Sequence, residues 1–507
     1  MIRIPTVEQI RACEAYTMVH KPISSIELME IAAAACVKHI KRNLPFDASI
    51  AVFCGMGNNG GDGLAITRLL RKDGYKCVPY IVKHREAYSE ECSHQVNLLN
   101  EQNIEINIIE DKKDIPSSLP YTVVIDALLG IGLTQAIEQP LLQSVIRHIN
   151  HSNAFVFAID TPSGLLSEQA MDSKDVVVEA DTTLTFQYAK LSFFLAENSR
   201  YVGNWKIMDI KLDYRYINRV KINNNLMSPD IVKSYIIPRE KFAHKGNFGH
   251  GLLIAGSFGM MGAAVLAAKA ALRTGIGLLT VNVPKMGYNI MQTSVPEALC
   301  RCDENEEHFT NIPFSSLDKY NAVAIGCGIG THPDTAQGLK KLIGDYGGTL
   351  IIDADAINIF AENKTWLEFL PPNSIFTPHH KEFERLVGKA SDGYERLKLQ
   401  REFSMRHHCV VVLKGAYTSI STQQGELYFN PSGNPGMAKG GCGDVLTGMI
   451  LSLAAQGYSS FKAAVVGAYL HGLSADKAMY RHSHESLLPS DIIDNIGQGF
   501  KAIKREE

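Results

Sequence analysis

Short apolar runs recur along the chain, and most end on a glycine or a charged residue. Residues 50–54 read I-A-V-F-C and stop at Gly55. Residues 121–125 read Y-T-V-V-I and stop at Asp126, and residues 154–159 read A-F-V-F-A-I and stop at Asp160. Runs this short and this continuously apolar predict strands buried on both faces, as in a parallel sheet. Helical spacing lies between them, notably over Leu64–Lys72. Strand and helix in alternation predict an α/β fold with helices covering both faces of the sheet. Each run delivers polar residues at its carboxyl end, where open α/β sheets bind ligands.

The same logic returns later with different motifs. Gly251–Ala255 leads into G-S-F-G-M-M-G, Ala322–Ile325 into G-C-G-I-G, and Thr349–Ile352 into D-A-D-A. Ser374–Phe376 leads into T-P-H-H, and Val410–Leu413 into K-G-A-Y-T. No period relates the two halves, so two different α/β domains in one chain are expected. The polar, asparagine-rich stretch Asp213–Asp230 marks the change. It divides the chain into an N-terminal domain over 1–215, a linker over 216–230 and a second domain over 231–507.

Length agrees, because 507 residues exceed one ordinary core. With 45% hydrophobic and 20% charged residues the composition is globular, and a net charge of −3 points to no nucleic-acid partner. No apolar run reaches the roughly 20 residues of a membrane span, and the first ten residues lack the apolar centre of a signal peptide. The ten cysteines form no C-x-x-C pair. Cys36, Cys54 and Cys327 sit in apolar stretches and are expected as reduced core or loop thiols. A cytoplasmic homo-oligomer is the expected form.

Two glycine-rich segments carry the candidate chemistry. The first, G-M-G-N-N-G-G-D-G over 55–63, follows a strand and predicts a loop open to close approach. Asn58 and Asn59 either form its turn or present amide oxygens to a ligand. Asn59, Asp126 and Ser163 together offer oxygen donors with one carboxylate, a set suited to a large monovalent cation rather than to zinc. The second segment runs from Gly433 to Gly448 and precedes an apolar helical run, Val445–Ala455. Backbone N–H groups converging there, aided by a helix N-terminus, predict an anion site. Asp444 would be either the helix N-cap or the base that takes a proton from a hydroxyl under phosphoryl attack. Lys414 offers a charge for phosphate, and Lys439 is either a phosphate contact or a solvated side chain.

These motifs resemble two known families. G-M-G-N-N-G-G-D-G, D-A-L-L-G-I-G-L (126–133) and D-T-P-S-G-L (160–165) are similar to the NAD(P)H-hydrate epimerase family, a Rossmann-like three-layer fold. The resemblance implies potassium held by Asn59, Asp126 and Ser163. It implies a substrate loop of Asn58, Asn59, Gly60, Gly61 and Asp62. Gly130, Ile131, Gly132, Leu133, Thr134, Gln135, Ala136 and the catalytic Asp160 are implied beside the substrate. The motifs from His244 onward resemble the ADP/ATP-dependent NAD(P)H-hydrate dehydratases, of ribokinase-like fold. There the resemblance implies nucleotide contacts by Lys414, Gly415, Ala416, Tyr417, Thr418 and Gly443. Ala263, Gly328, His379 and the catalytic Asp444 would contact the hydrated cofactor. The order, epimerase then dehydratase, is that of bifunctional prokaryotic members. Hydrated NADH and NADPH are the implied substrates, with ADP or ATP consumed and Mg2+ expected.

The chain departs from the family patterns in four places. Thr161 stands for isoleucine, and Leu166 stands where an aspartate often follows. His380 and Lys381 replace Pro-Gly, and Cys442 replaces serine or threonine. A rival reading is a small-molecule kinase of ribokinase-like fold whose N-terminal domain only binds.

Overall fold

The structure is a computed structural model that describes residues 2–311 and 317–504. The chain forms two compact units, one over Arg3–Ile222 and one from Asn223 onward that includes Ile2. Its strands are β1 (Ile2–Arg3), β2 (Ser49–Cys54), β3 (Lys76–Val82), β4 (Asn107–Ile109), β5 (Val123–Ala127), β6 (Phe155–Ile159), β7 (Thr182–Phe186) and β8 (Asn204–Met208). Then follow β9 (Asn224–Leu226), β10 (His250–Ile254), β11 (Leu278–Val283), β12 (Leu299–Cys302), β13 (Ala322–Ile325), β14 (Thr349–Ile352), β15 (Ile375–Phe376), β16 (Val410–Leu413), β17 (Ser419–Ser421) and β18 (Leu427–Phe429).

The first unit is a parallel seven-stranded sheet in the order β4-β3-β2-β5-β6-β7-β8. Counted from β2, six of these strands follow the doubly wound dinucleotide-binding order, and the switch point lies between β2 and β5. The core lies on both faces. Ile50, Val52, Val123 and Ile125 pack on one, and Ala51, Phe53, Val124 and Val156 on the other. That two-sided burial is why β2 and β6 read as continuous apolar runs. β3 escapes the sequence pattern, because Lys76 and Pro79 interrupt its apolar run. Strand β5 runs two residues later than its apolar run, so Asp126 lies inside the sheet rather than just beyond it.

The second unit holds an eleven-stranded sheet ordered β1-β9-β18-β17-β16-β15-β14-β13-β10-β11-β12. It is parallel from β16 to β12, with antiparallel pairs β16–β17 and β17–β18 toward the other edge. The switch point is β10, flanked by β11 and β13. Helices Cys442–Ala455 and Ser460–Ala478 are buried at most positions. They are apolar all round because sheet and neighbouring helices surround them. At Gly448 an added Cβ would strike the Ala267 carbonyl of helix Met261–Arg273, so glycine sets that helix contact. The polar segment over 216–230 carries the end of helix Tyr214–Arg219, strand β9 and the start of helix Pro229–Tyr235. Its asparagines do not keep it irregular, since β9 pairs with β18 and the Asn225 amide donates to the Leu427 carbonyl at 3.4 Å.

Candidate active sites

In the first unit the glycine segment is less of a loop than its composition suggests. Helix Asn58–Lys72 begins directly after Gly57, its N-cap, which makes no side-chain cap bond. Its glycines let the first turns press against the sheet. A Cβ at Gly60 would collide with the Gly55 carbonyl, and one at Gly63 with Ala127. The turn exposes Asn58 and holds the Asn59 amide with both polar atoms buried and unpartnered. A buried amide without a partner is a costly state that a ligand would relieve.

Beside it, Asp126 is fully buried. Its carboxylate accepts from Ser163 Oγ at 2.6 Å, Ser163 N at 2.8 Å and Leu128 N at 3.2 Å. Burial pushes its carboxyl up to about 6 against the lowering effect of the Ser163 bonds. Asn59 packs against Gly130, where an added Cβ would meet its Cβ and Cγ at 3.4 Å and its Oδ1 at 3.5 Å. The 130–136 segment follows β5. Thr134 and Gln135 are exposed, while Gly130, Ile131, Leu133 and Ala136 are half-buried. The departures are buried too: Leu166 is core, and Thr161 hides a hydroxyl with no partner, for which we have no physical account.

Asp160 directly follows β6 with φ +63°, a left-handed conformation uncommon for a residue with a side chain. Its carboxylate is buried against Lys190, whose Nζ lies 2.5 Å from Oδ1. Asp62 is buried as well, and its carboxyl is pushed well up by burial and by Asp160, Glu14 and Glu91. Glu14 is raised to about 7 by burial and by Asp160, against Lys190 and Arg11. Lys190, Glu14 and Arg11 lie outside the set that the sequence motifs mark. Helix Val7–His20 carries the last two, set by a Thr6–Gln9 capping box. A Cβ at Gly132 would meet Arg11 Nη2 at 3.3 Å, so this helix reaches the 130–136 segment. A lone lysine between Tyr188–Ala189 and the largely apolar L-S-F-F of Leu191–Phe194, all of them buried but Leu191, is the available signal for Lys190.

In the second unit a cavity of about 850 Å³ is lined by His379, Lys414, Gly415, Ala416, Thr418, Gly443 and Asp444. Tyr417, Ala263 and Gly328 lie outside that lining. Ala263 and Gly328 do adjoin each other, since a Cβ at Gly328 would meet that of Ala263 at 3.1 Å. The N-cap of helix Cys442–Ala455 is Gly441, at φ +95°, and Asp444 sits in the first turn without capping it. A glycine is required there because the chain turns left-handed before the helix. Burial, then the charge of Asp353, pushes the Asp444 carboxyl up to about 6. A carboxylate so poised suits proton transfer near neutrality.

Asp353 is the centre of this site and lies in the D-A-D-A motif. It is buried, accepts from Lys414 Nζ at 3.0 Å and Thr447 Oγ1 at 2.6 Å, and shares a cluster with Cys327 and Asp444. Burial alone would lower the Lys414 ammonium, but Asp353 and Glu382, 3.9 Å away, raise it on balance. Lys414 is therefore held by acids rather than standing alone. His379 caps helix His380–Val387, its Nδ1 accepting from Glu382 N at 3.2 Å while Glu382 accepts from His379 N at 2.7 Å. Lys439 is half-exposed on the cavity lining, with its ammonium bonded to the carbonyls of Glu485 and Leu487. His471 also lines the cavity with Nε2 unpartnered, its imidazole lowered to about 4 by burial and then by Lys414.

Known proteins bear on both centres. The family described as YjeF-related protein N-terminus matches residues 25–192, and that described as NAD(P)H-hydrate dehydratase matches residues 251–498. The chain is 32% identical to a bifunctional NAD(P)H-hydrate repair enzyme of Coxiella burnetii, over 96% of this chain and 97% of that one. It is 30% identical to the protein of the same name from Moorella thermoacetica, over 96% and 94%. The chain belongs to the bifunctional NAD(P)H-hydrate repair enzyme family. Among solved structures, a hypothetical protein from Streptococcus mutans is 28% identical with a TM-score of 0.50, covering 55% of this chain and 100% of its own. Within the repair-enzyme family the first unit is thus the YjeF-type domain and the second the NAD(P)H-hydrate dehydratase domain. The described residues include no helix long and apolar enough to cross a membrane, and all ten cysteines are free thiols.

Proposed function

We propose that the chain repairs hydrated NADH and NADPH in two steps, one in each unit. The first unit interconverts the R and S epimers. The second dehydrates the S epimer with consumption of ADP or ATP. The observation that carries this reading is the near full-length likeness to bifunctional repair enzymes, with both family matches in that order.

In the dehydratase centre the hydroxyl beside the ring nitrogen is a poor leaving group. Asp444 takes its proton as the terminal phosphoryl arrives, and N–H groups of the Gly440–Asp444 turn stabilise that phosphoryl. The ring-nitrogen lone pair then expels phosphate and the reduced cofactor is restored. Lys414, braced by Asp353 and Glu382, supplies positive charge beside the turn. Magnesium bound there would neutralise phosphate charge, and Asp353, which lines the cavity, is the carboxylate that would hold it.

In the epimerase centre the unpartnered Asn59 amide, the buried Asp126 carboxylate and the Ser163 hydroxyl fit a potassium ion, which would lend charge to fix the substrate loop. Asp160 stands beside the reacting carbon, and the 130–136 segment borders the substrate. Purified protein given mixed epimers, with each nucleotide omitted in turn, tests the whole. Full conversion of both epimers only when nucleotide is present is expected. A stable phosphoester product, or conversion of the S epimer alone, would defeat it.

A further inference from the structure

Lys190 is an unusual group to find where it is. Its side chain is 2% exposed. Its ammonium donates to Asp160 Oδ1 at 2.5 Å, Thr185 Oγ1 at 2.7 Å and the Tyr188 carbonyl at 3.1 Å, which uses all three N–H bonds. Asp160 Oδ1 also accepts from Phe186 N at 3.1 Å and lies 3.4 Å from Thr185 Oγ1. One carboxylate oxygen is therefore saturated, and Oδ2 accepts no such bond among the described residues. The backbone beneath is held at positive φ. Burying a lysine costs several kcal/mol unless a partner compensates it, and a hydrophobic residue would commonly stabilise such a site as well. Strain and buried charge that meet at one carboxylate suggest use rather than stability.

We propose that Lys190 is a positioning residue of the epimerase centre, fixing Asp160 by one oxygen so that the other takes the proton during epimerisation. This rests on the assignment of Asp160 to that centre. Epimerisation at the hydroxylated carbon can run through loss and return of water. The carbon–oxygen bond breaks as the hydroxyl takes a proton and leaves as water, and the ring-nitrogen lone pair forms a carbon–nitrogen double bond. Water then adds to the opposite face, forming a new carbon–oxygen bond, and gives its proton to Asp160. Atoms and electrons balance, and one proton has moved from an acid to Asp160. The acids facing Asp160 are Glu14, from helix Val7–His20, and Asp62, from helix Asn58–Lys72. The other titratable or charged groups in reach are Arg11, Glu91 and the Cys36 thiol, and Lys190 is the cation bonded to Asp160. Lys190 thus marks Asp160 as the acceptor, bonded to the cation of a cluster whose other carboxyls, Glu14 and Asp62, are both raised by burial. Pushing neighbouring carboxyls apart in this way assigns one as acid and another as base.

The test uses the full chain and four variants: Asp160→Asn, Lys190→Met, Lys190→Arg and Thr185→Val. Loss of the R epimer is followed by chromatography from pH 5 to 9. Dehydration of pure S epimer and the melting temperature report on folding. Lys190→Met should lower epimerase kcat by 10²-fold or more with KM nearly unchanged. It should also change the pH dependence of kcat, because the cation bonded to Asp160 Oδ1 is gone. Thr185→Val, which removes one Lys190 contact and little volume, should change the profile and lower kcat in the same sense but less. Lys190→Arg should recover part of kcat. If Lys190→Met does not fold, the Thr185→Val profile decides. A lower melting temperature with an unshifted profile and unchanged kcat in folded variants would overturn the proposal. Full epimerase activity in Asp160→Asn would instead overturn the assignment of Asp160 itself.

Discussion

Replacing Asp444 by asparagine separates two roles by the sign of the stability change. As an N-cap, Asp444 would lose ~1–2 kcal/mol on replacement by a residue that cannot cap, and almost nothing with asparagine. The structure gives the cap to Gly441 and leaves Asp444 a buried acid with its carboxyl raised to about 6 from 3.8. Burial is the main cause, and the charge of Asp353 is next. For an acid raised on folding, the folded state binds the proton more tightly than the unfolded chain. The charged form is therefore a burden that is absent below pH about 3.8, grows as pH rises, and is complete above about 6. A rise of that size corresponds to at most ~3 kcal/mol at neutral pH, and partial access of water to the cavity lowers that to ~1–3 kcal/mol. Asp444→Asn removes the burden while keeping the shape. The variant should thus resist urea better than the parent at pH 7.5, with the advantage fading toward pH 4. Dehydration of the S epimer, followed by recovery of reduced-cofactor absorbance, should fall by roughly 10²–10⁴-fold. Nucleotide affinity should change little, since Lys414 to Thr418 and the loop amides remain. In the parent, turnover should rise with pH through about 6 as the base deprotonates. Near-normal turnover in the variant would refute the base, and lower stability at pH 7.5 would refute the electrostatic reasoning.

Three further outcomes follow from the geometry. Asp126→Ala should impair epimerisation and leave dehydration of S epimer nearly intact; it also strips acceptors from Ser163 and Leu128, at a stability cost of ~1–3 kcal/mol seen in urea unfolding. Potassium should support epimerisation better than sodium or lithium, and full activity in rigorously potassium-free enzyme would rule out the cradle of Asn59, Asp126 and Ser163. Gly60→Ala should abolish epimerase activity and destabilise the first unit by ~1–3 kcal/mol while dehydration persists, because its Cβ would meet the Gly55 backbone carbonyl. Equal loss of both activities in folded Asp126→Ala or Gly60→Ala protein would contradict separate centres.

Much of the fold is legible in the sequence because parallel strands buried on both faces leave an unmistakable apolar run, as β2, β6, β13 and β16 do. The misses share a cause. β3 carries Lys76 and Pro79, and β9 is built from asparagines, so backbone pairing there proceeds without an apolar pattern to announce it. The 55–63 segment reads as a loop because glycine is a poor helix former. Tertiary contact decides otherwise: without side chains the helix can begin against Gly55 and β5. Of the site, the residues at strand ends are visible, since a polar residue closing an apolar run has few structural reasons to be there. Glu14 and Arg11 are not, because they arrive from a helix more than a hundred residues away in sequence from β6, on a face that looks ordinary.

The charges that sequence leaves unpaired form the same device in both units. Asp160 follows β6 and Asp353 follows β14; each is buried, and each meets a lysine carried by a later segment, Lys190 in one and Lys414 in the other. In both places a second acid stands near with its carboxyl raised, Glu14 to about 7 and Asp444 to about 6. A lysine paired with one carboxylate leaves the other to titrate near neutrality, where a proton can be given or taken at little cost. A core built for stability alone would have no use for the buried Lys190–Asp160 pair or the half-buried Lys414 on buried Asp353, because apolar residues of like volume would serve as well. The two sheets differ in strand order and in their motifs, so the likeness is one of chemistry. A hydroxyl beside a ring nitrogen must have its proton managed in both reactions, and each unit sets a lysine against one of two neighbouring acids, Asp160 beside Glu14 in the first and Asp353 beside Asp444 in the second.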